Sequence, residues 1–271
     1  MPELPEVETT RRGIEPHVVG KRVRAVVVRD ARLRWPVPDE LARVLPGLRI
    51  EAAERRAKYL LLRTQRGHVL VHLGMSGSLR IVPAATEPAA HDHVDLVFDG
   101  GMALRLRDPR RFGSVLWITG DPAHSKLLKD LGPEPLSDAF DGAYLFARAR
   151  GRAAPIKHVI MDGHVVVGVG NIYASESLHR AGIHPLRAAG RIARERFDAL
   201  ALTVKDVLRA AIEAGGTTLR DFARSDGEPG YFAQELLVYE REHEPCTRCG
   251  ALIKCARSGQ RSTYWCPRCQ R

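Results

Sequence analysis

The chain has 271 residues, long enough to bury one large core or two ordinary ones. Lys and Arg number 42 against 32 Asp and Glu, and the net charge of +10 favours a polyanionic partner, because neutralised phosphates release counterions. The acidic start has no apolar run of the kind a secretory signal needs, and no apolar stretch approaches membrane-spanning length, so a cytoplasmic protein is expected.

Val7, Thr10 and Ile14 recur at helical spacing behind acidic residues, predicting a helix from Glu6 to about Gly13 that ends at Pro16 and Gly20. From Arg22 to about Trp117 the texture is β-rich. Strands are expected at Val23–Val28, Tyr59–Arg63, His68–Leu73, Val94–Phe98 and Ala103–Arg107, with a hairpin turn at Asp99-Gly100-Gly101. This half reads as an antiparallel β-sandwich or barrel. Leu131-Gly132-Pro133-Glu134-Pro135 reads as a linker, and helical periodicity follows. Asp138 can cap a helix through about Arg150, a second helix runs from Asn171 to Arg180, and a long one from Ile192 to Glu213. The fold class is therefore α+β.

All five cysteines lie between Cys246 and Cys269, and disulfides are rare in the cytosol. Cys246-x-x-Cys249 and Cys266-x-x-Cys269 have the spacing of a four-thiolate zinc site with a hairpin between the pairs. Four thiolates leave no open coordination position, so one structural zinc ion is expected. Cys255 reads as a spare thiol. Lys254, Arg257 and Arg261 between the pairs suit either a phosphate-facing hairpin or a merely solvated one.

Pro2 follows the initiator Met, which is usually removed before a small residue. That exposes a secondary amine. With an α-amino pKa of about 7.7–8.0, roughly a tenth to a fifth is neutral at pH 7, far more than of an ordinary Lys. Such an amine can attack carbon and form an iminium ion, an electron sink for later eliminations. Glu3 and Glu6 lie beside it, and one carboxyl could serve as general acid while the other positions groups nearby. Pro and Glu at a helix start also serve capping and dipole roles, and both readings are open on these residues alone. Asn171 follows Gly168 and Gly170 at a helix start, where it can hold phosphate or cap the helix.

The string Pro2-Glu3-Leu4-Pro5-Glu6-Val7-Glu8 resembles the N-terminus of the formamidopyrimidine-DNA glycosylase family, bacterial enzymes that excise oxidised purines. His72-Leu73-Gly74-Met75-Ser76-Gly77, Asp108-Pro109-Arg110-Arg111-Phe112-Gly113, Gly168-Val169-Gly170-Asn171-Ile172-Tyr173-Ala174 and Gln260-Arg261-Ser262-Thr263 resemble the same family, in its order, and with the cysteine ribbon they cover the chain. The resemblance implies an N-terminal antiparallel β-sandwich with an N-terminal helix, and a C-terminal helix–two-turns–helix domain with a β-hairpin zinc finger, DNA lying in a cleft between them. The expected divisions are a catalytic domain over 1–130, a linker and the start of the helical domain over 131–150, the DNA-binding helical domain over 151–235, and the finger over 236–271.

The resemblance also assigns roles. Pro2 attacks the sugar C1′ and displaces the base, forming a Schiff base, while Glu3 protonates the ring oxygen; β- and δ-elimination then cleave the strand. Lys58 is implied to contact phosphate and donate a proton in β-elimination, and Arg261 to grip the lesion's phosphates and serve δ-elimination. A stacked base is out of reach, so the nucleotide must be flipped out. Met75, Arg110 and Phe112 are implied to fill the vacated stack, the arginine bonding the estranged cytosine. Read alone, Met75 and Phe112 would be core residues, so this role requires them on loops. His91, Arg111 and Arg152 are further phosphate-contact candidates, and His72 could contact DNA or sit between strands. Glu6 is grouped with these DNA-side residues. The stretch from Gly215 to Phe232 resembles the family's base-capping loop.

The expected partner is double-stranded DNA carrying oxidised purines such as 8-oxoguanine, bound by a monomer. Two alternatives stand beside this reading: an endonuclease VIII-type enzyme acting on oxidised pyrimidines, and a non-catalytic zinc-ribbon DNA-binding protein that would tolerate loss of Pro2 and Glu3. The Arg110–Phe112 block and the capping-loop resemblance favour the purine enzyme.

Overall fold

The computed structural model describes residues 2–215 and 236–271, which divide into two compact units: 2–129 with 214–215, and 130–213 with 236–271. The first begins with helix α1 (Leu4–Val18). Pro5 sits in its first turn, where the missing N–H has no intrahelical partner to lose. Val7, Ile14 and Val18 lie on one buried face. That face carries the helix past both expected ends: it starts before Glu6, and Pro16 falls inside the last turn rather than ending it.

Eight strands follow: β1 (Val23–Val28), β2 (Ala52–Arg56), β3 (Tyr59–Thr64), β4 (Gly67–His72), β5 (Ser78–Pro83), β6 (Asp92–Phe98), β7 (Met102–Arg107) and β8 (Ser114–Ile118), with the short helix α2 (Asp39–Val44) after β1. They form two four-stranded sheets, ordered β1-β6-β7-β5 and β2-β3-β4-β8, with every pairing antiparallel. The turn Asp99-Gly100-Gly101 joins β6 to β7 as expected, with Gly101 donating its N–H to Phe98 O at 3.3 Å. Alternate residues, Leu60 and Leu62 of β3 and Val69 and Val71 of β4, meet Leu96 and Phe98 of β6 and Leu104 and Leu106 of β7 in one core that includes Val7, Ile14 and Val18. The expected sandwich is present, with α1 packed into its core.

The second unit contains α3 (Gly142–Ala149), α4 (Ile156–Met161), α5 (Asn171–Arg180) and α6 (Arg194–Glu213). Asp141, not Asp138, caps α3: its carboxylate accepts the Tyr144 N–H at 2.7 Å. A non-helical stretch over 162–170 separates α4 from α5. Ile172 to His179 of α5 are all buried, polar residues included, so this helix must satisfy those groups inside the protein. The hairpin of β9 (Lys254–Ser258) and β10 (Arg261–Trp265) is antiparallel and lies between the two cysteine pairs. Among the described residues no helix is long and apolar enough to cross a membrane.

Candidate DNA-processing site

In the first unit Pro2 is buried directly ahead of α1. Glu3 is the N-cap of that helix and only 2% exposed; Glu6, 1% exposed, accepts the Glu3 N–H at 2.8 Å. With the Glu3 side chain accepting the Glu6 N–H in return, this is a complete capping box, and it fixes the backbone that carries Pro2 and holds the Glu3 carboxyl itself. The capping reading of these residues therefore holds, both side chains taking part, and the cap sets the Glu3 carboxyl at the head of the helix next to Pro2 in sequence.

Lys58 lies in the two-residue turn between β2 and β3. Ala57 holds a left-handed φ of 56° there. Arg55 steadies the turn, donating to Ala57 O at 2.9 Å and pairing with Glu8 of α1 at 3.2 Å. Across the sheet Tyr59 pairs with His72, and their rings lie 4.9 Å apart. Burial, then the Lys58 and Arg34 charges, push the His72 imidazole down to about 4. It is neutral near pH 7. Its Nδ1 accepts the Gly74 N–H at 3.0 Å, so the proton sits on Nε2, leaving a single N–H donor close to an ammonium.

Met75 is half-buried in the turn after β4, while Arg110 and Phe112 are exposed on the loop between β7 and β8, Phe112 at 45%. All three stand on loops, as the wedge role requires. The Arg110 guanidinium lies 5.1 Å from the centre of the Phe112 ring. Arg111 pairs with Asp30 at 2.7 Å, and His91 is exposed just before β6 with φ 72°.

In the second unit the N-cap of α5 is Gly170, so Asn171 is its first helical residue rather than its cap. The Asn171 side-chain amide donates to Ser262 O at 3.1 Å, and the buried ammonium of Lys157 on α4 donates to the same carbonyl and to Thr263 Oγ1, each at 3.0 Å. Both therefore hold β10 next to the exposed Arg261. A recess of about 280 Å³ beside Arg261 is lined by His158, Met161, Asp162 and Ser258. Arg152 is half-buried, 3.7 Å from Asp162.

Glu176, on α5, organises the entry to the finger. Its carboxylate accepts the N–H groups of Leu237, Val238 and Tyr239 at 2.9, 3.0 and 2.9 Å. Burial pushes this carboxyl up, and those three bonds work against the shift. His179, also on α5, places Nε2 3.5 Å from Cys246 Sγ. Sequence reasoning passed over Lys157, Glu176 and His179. No local signal marks them, because α5 carries buried Ser175 and Ser177 as well and each of the three meets a partner more than 60 residues away.

The sulfurs of Cys246, Cys249, Cys266 and Cys269 lie within 4.8 Å of one another, and none is in a disulfide. Sulfurs 2.3 Å from a tetrahedral zinc stand about 3.8 Å apart. The observed Cys246–Cys269 and Cys249–Cys266 separations are 3.9 and 3.4 Å. Gly250 takes φ 74° in the first knuckle and donates its N–H to Cys246 O at 2.8 Å, which turns both thiols toward one point. The four residues fit one zinc ion with no open position. Cys255 stands apart, on β9 opposite Tyr264. The expected base-capping stretch, Gly215 to Phe232, lies almost wholly outside the described residues.

The chain matches family models along most of its length: the formamidopyrimidine-DNA glycosylase N-terminal domain over residues 1–115, the H2TH domain of the same enzymes over 131–223, and the zinc finger found in FPG and IleRS over 244–271. It is 63% identical over the whole of both chains to a formamidopyrimidine-DNA glycosylase of Syntrophotalea carbinolica, and 62% identical to one of Stenotrophomonas maltophilia. Among solved structures it is similar to the MutM (Fpg) protein of Thermus thermophilus, with TM-score 0.89 and 39% identity over 99% of this chain and 98% of that one. A Lactococcus lactis Fpg mutant in complex with DNA containing Fapy-dG superposes with TM-score 0.93 at 32% identity over all of both chains. The chain belongs to the formamidopyrimidine-DNA glycosylase family.

Proposed function

We propose that this protein is a bifunctional DNA glycosylase and lyase of base-excision repair that excises oxidised purines through a Schiff base at Pro2. The observation that carries this reading is the buried Pro2-Glu3 pair at the head of α1, in a chain whose full-length relatives are named formamidopyrimidine-DNA glycosylases. With Met1 removed, the Pro2 amine stands at the positive end of a helix in a buried setting. Both disfavour a charge on it and leave its lone pair for attack.

The amine attacks C1′ of the flipped nucleotide and the base leaves. Glu3 gives its proton to the ring oxygen, the ring opens, and the iminium ion acidifies the C2′ hydrogens. Loss of a C2′ proton expels the 3′ phosphate, and a second elimination expels the 5′ phosphate. Lys58 in the β2–β3 turn and His72 at the end of β4, an ammonium and an imidazole N–H, suit the phosphates flanking the lesion, with Lys58 as the proton donor in β-elimination. Arg261, Asn171, Arg152 and His91 supply further cations and donors toward the backbone, and Arg261 serves δ-elimination. Met75, Arg110 and Phe112 fill the vacated stack, with Arg110 bonding the unpaired cytosine.

The proposed division of labour assigns base excision and β-elimination to 1–130, and duplex binding with the Arg261 step to 151–235 and the finger. The basic charge supports DNA as the partner, and the proposed enzyme is a monomer that works in the cytoplasm. Borohydride reduction with a duplex carrying 8-oxoguanine opposite cytosine tests the reading. A covalent adduct on Pro2 is the expected result, and preferential excision of oxidised pyrimidines would reassign the substrate.

A further inference from the structure

The loops bearing Met75 and the pair Arg110 and Phe112 are 32 residues or more apart in sequence and neither belongs to a strand, yet buried polar groups join them. Asp108 is completely buried and Ser76 only 6% exposed. The Ser76 hydroxyl donates to Asp108 Oδ1 at 2.8 Å and accepts the Arg110 N–H at 3.1 Å. The other carboxylate oxygen, Oδ2, accepts the Gly113 N–H at 2.7 Å, closing the loop that contains Phe112. The main chain of Asp108 is held as well: its carbonyl accepts from His93 Nε2 at 2.9 Å, and its N–H donates to His91 O at 3.0 Å.

The backbones meet with no spare room. Gly74 has φ 65°, and a Cβ on it would stand 2.4 Å from the Phe112 carbonyl carbon and from Gly113 N. Only glycine permits that approach. Leu73 O accepts the Gly77 N–H at 2.8 Å, closing the turn that carries Met75.

We propose that Ser76 and Asp108 are positioning residues that lock the two wedge-bearing loops into one rigid unit, and thereby set how strongly the enzyme distinguishes the base opposite the lesion. This rests on the reading of Met75, Arg110 and Phe112 as the side chains that fill the vacated stack. A hydrogen bond from Arg110 to cytosine discriminates only if the arginine arrives at a fixed depth and angle, and Ser76 holds its backbone N–H. Neither positioning residue touches DNA. Their contribution is the fixed spacing between Met75 on one loop and Arg110 and Phe112 on the other.

The experiment measures excision of 8-oxoguanine opposite cytosine and opposite adenine for the full-length zinc-loaded protein and for Ser76→Ala, Asp108→Asn, Arg110→Ala and the double variant Ser76→Ala/Arg110→Ala. The ratio of the two rates does not depend on how much of a preparation is folded. Borohydride adduct yield on a single-stranded abasic oligonucleotide, which has no opposite base and no stack to fill, reads the active fraction separately. Asp108→Asn keeps the volume, but its NH₂ cannot accept from the Gly113 N–H or from the Ser76 hydroxyl.

Ser76→Ala and Asp108→Asn are expected to lower the cytosine-over-adenine ratio about tenfold, the effect of roughly one lost hydrogen bond. In the Arg110→Ala background Ser76→Ala is expected to lower the ratio no further, because both changes remove the same interaction. An unchanged ratio in both positioning variants, alongside a lost ratio in Arg110→Ala, overturns the proposal and leaves the wedge reading intact. If Arg110→Ala keeps the ratio, the wedge reading fails and takes this proposal with it.

Discussion

The two units hold their functional residues by different means. In the sandwich, α1 and both sheets share one apolar core, and the residues assigned to chemistry and stacking stand on its rim: a helix cap, a hairpin turn and two loops. In the finger the buried cluster is only Val238, Cys246, Ile253 and Cys266, two of them zinc ligands, which is too small to order a hairpin by itself. Its place is held by zinc and by a polar framework. Asn171, Glu176 and His179 on α5, with Lys157 on α4, reach Ser262, the backbone of 237–239 and Cys246. An apolar core tolerates a lost atom gradually, while a polar framework fails when one partner leaves.

Removing the metal separates the units most sharply. Structural zinc contributes about 10–16 kcal/mol in isolated fingers, far more than any single contact here. A chelator is expected to abolish amide protection across 236–271 and leave the sandwich strands protected in hydrogen exchange. DNA affinity should fall roughly a hundredfold if the finger makes the phosphate contacts proposed for it. If sandwich protection disappears together with the finger's, the two units are not held separately.

Truncation in the sandwich core should do the reverse. Leu96→Ala and Ile14→Ala each delete a fully buried side chain and should cost about 2–5 kcal/mol in urea unfolding. Both variants should retain one zinc per chain, as a colorimetric thiol-displacement assay would register. A smaller effect is expected from Glu176→Ala, which leaves three backbone N–H groups without their acceptor. A loss of about 2–4 kcal/mol should result, with exchange at Leu237–Tyr239 accelerating before exchange in the sandwich. Glu176→Gln, which keeps an acceptor oxygen, should lose less.

The smallest effect is a pH dependence at His72. The folded imidazole is pushed down to about 4 from 6.5, by burial first and then by the Lys58 charge. Between those values the unfolded chain binds more protons than the native one, so stability falls as pH drops from 6.5 toward 4. Above 6.5 both states are neutral there and the contribution is constant. His72→Gln should flatten that part of the urea midpoint profile and leave the profile above pH 7 unchanged.

How much of this was legible in the sequence differs between the units in the same way. The β-sandwich announces itself through alternating apolar residues, and the zinc site through spacing within one short segment, because both signals are local. Helix ends were less legible. α1 runs past Pro16 because Val18 has a buried place in the core, and α3 starts at Asp141 because that carboxylate meets the Tyr144 N–H. The polar framework could not be read at all. Ser76 and Asp108 are 32 residues apart, Glu176 and Val238 are 62, and Lys157 and Thr263 are 106. No pattern in the chain announces pairs that only the fold creates. Lys58 and Arg110 were singled out through the family resemblance, and Asn171 through the glycines ahead of a helix start as well; what the structure adds is their setting: a turn steadied by Arg55, a loop tied to Ser76, and a helix start tied to Ser262.

The central claim is that the Pro2 amine is the nucleophile. Its most direct test is intact-mass and peptide analysis of the protein after borohydride reduction with abasic or 8-oxoguanine duplex DNA. The account predicts a chain lacking Met1 and carrying one reduced sugar-phosphate remnant on the N-terminal peptide at Pro2. A remnant on a lysine peptide, or strand cleavage by protein that retains Met1, would contradict it.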